Sequence, residues 1–200
     1  MKRINNLFSK VTSYQNLLIA SRLAMKGSGR TAATCQFFFH LETEILSLQT
    51  ELLNGTYQPG SYRYFTIFDP KERVIAVAPF RDRVVHHAVV RILTTIYERV
   101  FIYDSYATRP NKGTHAAIKR AQKFIRRWPW YLKADIKKYF DNVNHGTIMD
   151  ILKRKLKDRQ LLDLLDRIIR NMPIYFTPNA KMVYNSPGGS ICPGNTLNEV

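Results

Sequence analysis

The sequence predicts an α+β protein in which helices pack on a small antiparallel sheet. Three observations lead to this fold class. Apolar residues recur at helical spacing before residue 54, alternate with other residues between 62 and 78, and return to helical spacing in later segments. The resulting order of helix, hairpin, helix, helix, strand and helices is typical of α+β proteins.

The N-terminal part is predicted to be helical. Residues 1–34 are basic and polar, with a helix around 14–25. An amphipathic helix of about five turns should follow. Its apolar positions are Phe37, Phe38, Leu41, Ile45, Leu48, Leu52 and Leu53. Asn54 and Gly55 should end this helix.

A β-hairpin is predicted next. Side chains alternate along 62–68, Asp69 to Glu72 form a turn, and 73–78 return as the second strand. Lys71 and Arg73 therefore lie at the tip. Pro79 ends the strand, and 82–101 should form a long, largely buried helix.

The remaining elements are helices and one short strand. Thr114 is a candidate N-cap for a helix over 116–127, whose polar face is basic. Residues 130–134 are predicted to form a buried strand that ends at Asp135. Helices should follow at 145–157 and 159–171, and the Pro- and Gly-rich tail 173–200 should form a loose hairpin.

The charge of the chain points to a polyanionic partner. Lys and Arg number 31 against 15 Asp and Glu, which gives a net charge of +16. Nucleic acid is the simplest partner, because each neutralised phosphate releases counterions. A membrane surface or ribosomal RNA would explain the same charge, so the charge indicates no activity.

Cysteines and apolar runs indicate the compartment. Cys35 and Cys192 are far apart and have no metal-ligand spacing, so a reducing compartment is expected. The apolar run 17–20 is too short for a signal peptide or a membrane span. We therefore expect a cytoplasmic protein with no membrane partner.

Asp135 is the leading candidate for a catalytic residue. A carboxylate at the end of a buried strand can project into a site, and the Ile136 carbonyl beside it offers a second oxygen. Mg²⁺ favours such hard ligands together with waters and substrate phosphates. The alternative is that Asp135 only caps the next turn.

Cationic residues near turns are candidate phosphate ligands. Arg73 and Lys71 flank the hairpin turn, and Arg81 and Arg83 open the following helix. Arg can bind phosphate through two hydrogen bonds. The loop 105–114, with Arg109 and Lys112, is a further candidate. A solvated hairpin and an ordinary surface loop are the alternatives.

Four segments together resemble the bacterial reverse transcriptases of the group II intron and diversity-generating retroelement type. They are LLNGTYQPG at 52–60, PFRDRVVHHA at 79–88, DSYATRPNKGTHAA at 104–117 and LKADIKKYFD at 132–141. The segments fall in the family's order, and as a set they are highly specific. The resemblance is closest to the retroelement enzymes and covers roughly residues 35–145.

The resemblance implies site residues, cofactors and partners. Asp135 would be the first catalytic aspartate and, with the Ile136 carbonyl, a ligand of Mg²⁺ or Mn²⁺. Phe140 would exclude a ribose 2′-hydroxyl, and Lys71 and Arg73 would contact the dNTP triphosphate. The residues facing the RNA template and the primer or DNA would be Arg81, Arg83, Arg109 and Lys112.

The resemblance also implies a division of the chain. Residues 1–34 would be a basic helical extension and 35–84 the fingers of a right-hand polymerase. Residues 85–141 would begin the palm. Residues 142–200 would hold fingers return helices and the tail, before the second catalytic motif.

Two departures from the family pattern affect the activity that we expect of this chain. The stretch ICPGNTLNE at 191–199 keeps only the Gly-Asn core of the family's next block, and no Asp-Asp pair occurs in the sequence. One carboxylate cannot hold two divalent ions about 4 Å apart. The chain alone is therefore expected to be inactive: a shortened or frameshifted product, or one piece of a split enzyme.

Three hypotheses follow for the function. The first is the N-terminal portion of an RNA-directed DNA polymerase, active with its C-terminal half or an accessory protein. The second is a non-catalytic RNA-binding protein derived from such an enzyme. The third is a basic structural RNA-binding protein with accidental motif matches.

Overall fold

The computed structural model describes residues 3–26, 28–29, 31–68, 70, 72–136 and 143–172. Within these residues the predicted α+β class is confirmed. The elements, in chain order, are α1 (Phe8–Thr12), α2 (Tyr14–Lys26), α3 (Ala32–Phe39), α4 (Leu41–Leu53), β1 (Arg63–Phe68), β2 (Glu72–Val77), α5 (Phe80–Tyr97), α6 (Thr114–Arg127), α7 (His145–Lys155) and α8 (Arg159–Arg170).

The helical core is built on the contact between α2 and α5. Leu17 and Ala20 of α2 and Val84, Val85 and Ala88 of α5 are buried, and in each helix these residues share one face. Helix α1 also packs on both α2 and α5. The core cluster includes residues from each of the four predicted divisions of the chain, 1–34, 35–84, 85–141 and 142–200. The boundaries of these divisions remain a prediction.

The predicted five-turn helix is two helices. The backbone of His40 has φ −109° and ψ 31°, outside the helical range, and separates α3 from α4. The break lets α3 pack on α5 while α4 packs on α2. Phe37 of α3 contacts the ring of Phe80 edge-on, at 5.0 Å between centroids. The end of α4 is as predicted, with Gly55 at φ +71°.

Helices α7 and α8 are tied to the N-terminal segment by buried hydrogen bonds. The carboxylate of Asp158, the N-cap residue of α8, accepts from the backbone N–H groups of Leu7 at 2.7 Å and Phe8 at 2.8 Å. It also accepts from Leu161 N–H at 3.3 Å. Ile4 pairs with Leu156 in a parallel bridge. One carboxylate therefore satisfies the N-termini of two helices.

The predicted hairpin is confirmed. Strands β1 and β2 are antiparallel, with Arg63 opposite Val77 and Phe68 opposite Glu72. Asp69 and Lys71 of the predicted turn lie outside the described residues. Helix α5 ends at Tyr97 rather than Phe101, and α7 and α8 end within two residues of the predicted positions.

Two predictions after residue 113 are wrong. Thr114 is the first residue of α6 rather than its cap, and Gly113 occupies the N-cap at φ +104°. Residues 130–134 form no strand. No strand among the described residues pairs with this backbone, since the sheet there consists of β1 and β2. The side chains are not packed either: Trp130 is 88% and Leu132 92% exposed. The tail 173–200 lies outside the described residues.

Candidate nucleic-acid interface

The start of α5 is fixed by a buried carboxylate. Asp82 accepts hydrogen bonds from the Tyr57 hydroxyl at 2.7 Å and the Gly60 N–H at 2.8 Å. Burial and the bond to Asp82 raise the pKa of Tyr57 far above its ordinary range. A Cβ on Gly60 would lie 2.9 Å from the ring of Pro79, so only glycine fits there without a shift. This junction positions Arg81 and Arg83, which flank Asp82.

Arg81 is held by an acidic residue of α4. Its Nη1 and Nη2 each donate to the carboxylate of Glu51 at 2.7 Å. Its Nε lies 3.6 Å from Glu44. The hydrogen bond raises the pKa of Arg81 and lowers that of Glu51. The guanidinium therefore joins α5 to α4, and its predicted contact with nucleic acid stays a prediction.

Arg83 and Arg73 differ in their surroundings. The guanidinium of Arg83 lies 5.2 Å from the centre of the Phe80 ring, and its Nε is buried with no hydrogen-bond partner among the described residues. Burial and the neighbouring charge of Arg63 lower the pKa of Arg83. Arg73 is exposed near the tip of the hairpin, opposite Ile67. Lys71 lies outside the described residues.

Arg109 organises the loop after α5. Its side chain, 9% exposed, donates to Glu98 at 2.6 and 2.9 Å. It also donates to the carbonyls of Ile102 at 2.8 Å and Ser105 at 3.0 Å. These bonds close the loop around one guanidinium.

Lys112, like Arg109, donates a hydrogen bond within the same loop. Its Nζ donates to the carbonyl of Tyr103 at 2.7 Å and lies 3.8 Å from the centre of that ring. Arg109 and Lys112, two of the four cations predicted to bind template or primer, therefore already hold intramolecular partners. Their predicted role in RNA binding is not tested by this arrangement.

Helix α6 carries cations that the sequence pattern showed but that we did not predict as a site. Arg120 donates to Asp104 at 2.8 and 3.2 Å, which lowers the pKa of Asp104. The other cations of the helix are exposed: Lys119, Lys123, Arg126 and Arg127. Their helical spacing was the feature that could have identified them.

Asp135 and Ile136 are both exposed and follow no strand. Within the described part of the chain, no group of three or more His, Cys, Asp or Glu side chains could hold a metal ion. One carboxylate and one carbonyl do not make a two-metal site. The described residues therefore do not fit the implied pair of Mg²⁺ ions on their own. Phe140 lies outside the described residues.

The buried carboxylates were missed by sequence reasoning. Asp82 and Asp158 are both buried and hydrogen-bonded to backbone N–H groups. Asp158 stands directly before the apolar pattern of α8, the position of a helix N-cap, and this feature could have identified it. Asp82 accepts from Tyr57 and Gly60, which lie more than 20 positions earlier in the chain. Nothing in the sequence around Asp82 indicates these two partners.

One neighbouring histidine pair shows how the core affects titration. His86 is half-buried and His87 is exposed. Burial lowers the pKa of His86, the charge of Asp82 opposes this effect and that of His87 adds to it.

No helix in the described ranges is long and apolar enough to cross a bilayer.

Comparison with known proteins identifies relatives of the chain. The group II intron-encoded protein LtrA of Lactococcus lactis subsp. cremoris is 31% identical over 132 residues, which are 64% of this chain and 22% of the relative. Protein YkfC of Escherichia coli (strain K12) is 28% identical over 181 residues, 84% of this chain and 48% of the relative. The mitochondrial nuclear intron maturase 2 of Arabidopsis thaliana is 27% identical over 137 residues, 60% of this chain and 19% of the relative.

The chain thus spans between about a fifth and a half of the length of these relatives. A family model described as reverse transcriptase (RNA-dependent DNA polymerase) matches residues 66–184, which is more than half of the chain. This match includes the segments 79–88, 104–117 and 132–141 that carried the predicted resemblance. The chain belongs to the reverse transcriptase family.

Proposed function

We propose that the chain provides the fingers and the first palm elements of an RNA-directed DNA polymerase. The observation that carries this proposal is the family match over 66–184, which contains Asp135. The partners would be an RNA template, a primer or DNA strand, and dNTP. The C-terminal polymerase half, or an accessory protein, would complete the site. The net charge of +16 supports a polyanionic partner.

The proposed roles of the site residues follow from the family's order of motifs. Asp135 and the Ile136 carbonyl would be two of the ligands of Mg²⁺, and Phe140 would contact the nucleotide sugar. Bound Mg²⁺ or Mn²⁺ would supply charge stabilisation for phosphoryl transfer. The remaining carboxylates would have to come from residues outside the described ranges.

Some of the cations would contact the substrates directly, and others would hold a loop in its conformation. Arg73, exposed near the hairpin tip, would contact the triphosphate together with Lys71. Arg109 and Lys112 would shape the loop that presents backbone N–H groups and side chains to RNA, since their own head groups hold the loop closed. Arg81 and Arg83 would stand at the adjoining start of α5.

Primer extension tests the catalytic part of this proposal. The experiment uses the complete enzyme, reconstituted from this chain and the polypeptide that carries the paired aspartates. Asp135→Asn should lower extension on an RNA template about 1,000-fold, which corresponds to the loss of several kcal/mol of metal-assisted charge stabilisation. RNA binding, measured by anisotropy, should change little.

Asp163→Asn is the matched control, because Asp163 is an exposed carboxylate of α8. It should leave extension unchanged. If Asp135→Asn retained full extension while RNA binding stayed intact, Asp135 would not be a metal ligand. Robust synthesis by this chain alone would contradict the proposal that it lacks part of the site.

A second function is favoured by the state of Asp135. The side chain is exposed, and among the described residues no group of three or more His, Cys, Asp or Glu side chains could hold a metal ion. These observations suit a non-catalytic RNA-binding protein derived from a reverse transcriptase. RNA binding without extension, in this chain and in every reconstituted complex, would favour this alternative.

A further inference from the structure

We propose that the basic face of α6, formed by Lys119, Lys123, Arg126 and Arg127, is a phosphate-binding surface for RNA. It is distinct from the residues predicted to contact template and nucleotide. The inference rests on the proposed function only in taking RNA as the partner. It assigns that partner to a face of the molecule that no motif of the polymerase site includes.

The four cations share one side of the helix. Relative to Lys119 they stand at positions i+4, i+7 and i+8, so their side chains project in similar directions. The apolar residues of α6, among them Ala121, Phe124 and Ile125, belong to the other side. All four cations are exposed. The face is therefore available to a partner that approaches from solvent.

The charge of this face is not neutralised within the described residues. Helix α6 contains no acidic residue, and its ion pair with Asp104 is made by Arg120 at the edge of the face. Arg127 lies over the ring of Trp128 at 5.3 Å. Lys119, Lys123 and Arg126 have no carboxylate within ion-pair distance in the part of the chain that the structure describes.

This arrangement contrasts with the cations predicted from motifs. Arg81 is bound to Glu51, Arg109 to Glu98, and Lys112 to the Tyr103 carbonyl. A phosphate would have to compete with each of these partners. At Lys119, Lys123 and Arg126 it would meet no such competition from any carboxylate in the described ranges.

Helix stability alone does not account for the pattern. The helix dipole favours cations in the last turn, which explains Arg126 and Arg127. It does not explain Lys119, which lies in the second turn. Like charges at i and i+4, such as Lys119 and Lys123, slightly destabilise a helix. A polyanion bound along the face would remove this repulsion.

An RNA backbone suits the spacing of the charges. Lys119 and Lys123 are about 6 Å apart along the axis, and Arg126 follows after about 4.5 Å. A row of this kind can follow successive phosphates without reading bases. Binding at this face should therefore be independent of RNA sequence and strongly dependent on salt.

The test compares two variants with the same loss of charge. One carries Lys119→Gln, Lys123→Gln and Arg126→Gln. The control carries Lys153→Gln, Arg154→Gln and Lys157→Gln, three exposed cations in or just after α7. Binding of the full chain to an unstructured RNA of about 20 nucleotides is measured by fluorescence anisotropy over a salt series. Circular dichroism checks that both variants keep their helices.

The α6 variant should bind at least about tenfold more weakly at low salt, and its slope of log affinity against log salt should fall by about 2. The control should stay close to the unaltered chain. Equal weakening of both variants would overturn the proposal, because it would show a response to net charge alone. Unchanged binding by the α6 variant would overturn it as well.

A second arm separates RNA from a membrane surface, since an amphipathic basic helix can also bind anionic lipid. The same proteins are sedimented with vesicles that contain phosphatidylserine. Loss of vesicle binding in the α6 variant with intact RNA binding would overturn the RNA assignment. Each of these outcomes is independent of primer extension, so failure of the Asp135 experiment would leave this inference standing.

Discussion

The helical core and the segment 98–136 use similar sequence patterns with opposite results. In α2, α5 and α8 the apolar stripe is buried, as at Leu17, Val85 and Leu161. Between residues 98 and 136 no apolar residue is buried, although α6 is also amphipathic and aromatic residues are frequent. The difference teaches that periodicity selects the apolar face, whereas burial needs a partner element within reach.

The largest expected contrast is between two leucines, one in each region. Leu161 is fully buried in α8, whereas Leu132 is 92% exposed. Leu161→Ala should lower the free energy of unfolding by about 2–5 kcal/mol because it leaves a cavity. Leu132→Ala should change it by less than about 0.5 kcal/mol. Urea denaturation of the chain measures both, and similar losses would show that 130–134 is packed in solution.

The second contrast concerns the carboxylate that joins the N-terminus to α8. Asp158→Ala leaves the N–H groups of Leu7 and Phe8 without their buried acceptor and removes a helix cap. The expected loss is about 3 kcal/mol in the free energy of unfolding. Asp163→Ala, at an exposed position of the same helix, is the control and should cost little. A small loss for Asp158→Ala would mean that water replaces the bonds.

The smallest expected effect is a pH dependence centred on His86. Burial holds its pKa below the ordinary value of 6.5, so the unfolded chain takes up the proton first. The stability contributed by neutral His86 is fully present above pH 6.5 and is lost as pH falls through the lowered pKa of the folded state. His86→Gln should flatten this acid loss in thermal unfolding, and His87→Gln should not. An unchanged pH profile in His86→Gln would assign the loss to other groups.

Much of the fold could be predicted because its causes are local. Helix periodicity identified α2, α5, α7 and α8, and alternation identified the hairpin. The break at His40 was missed because Phe37 and Ile45 keep helical spacing across it. The strand at 130–134 was predicted from the residues of that stretch, but pairing depends on a neighbouring strand that no local pattern provides.

The residue types and the class of partner of the candidate site could be predicted from the sequence, but the contacts between its side chains could not. Motif order indicated Asp135, and net charge indicated a polyanionic partner. The same reasoning treated Arg81, Arg109 and Lys112 as contacts for nucleic acid, because a cation looks the same in the sequence whether or not an acceptor faces it in the fold. Only the fold shows that these three already have partners, whereas Lys119 and Lys123 have no ion-pair partner in the part of the chain that the structure describes.

The sequence by itself determined the local choices: which segments are helical, the hairpin, the basic face of α6 and the family to which the chain belongs. The tertiary structure decided which polar groups are paired. Asp158 meets the N–H of Leu7 across 151 positions, and Asp82 meets Tyr57 across 25. Such bonds depend on the folded path of the chain, and propensities act only over a few neighbouring residues.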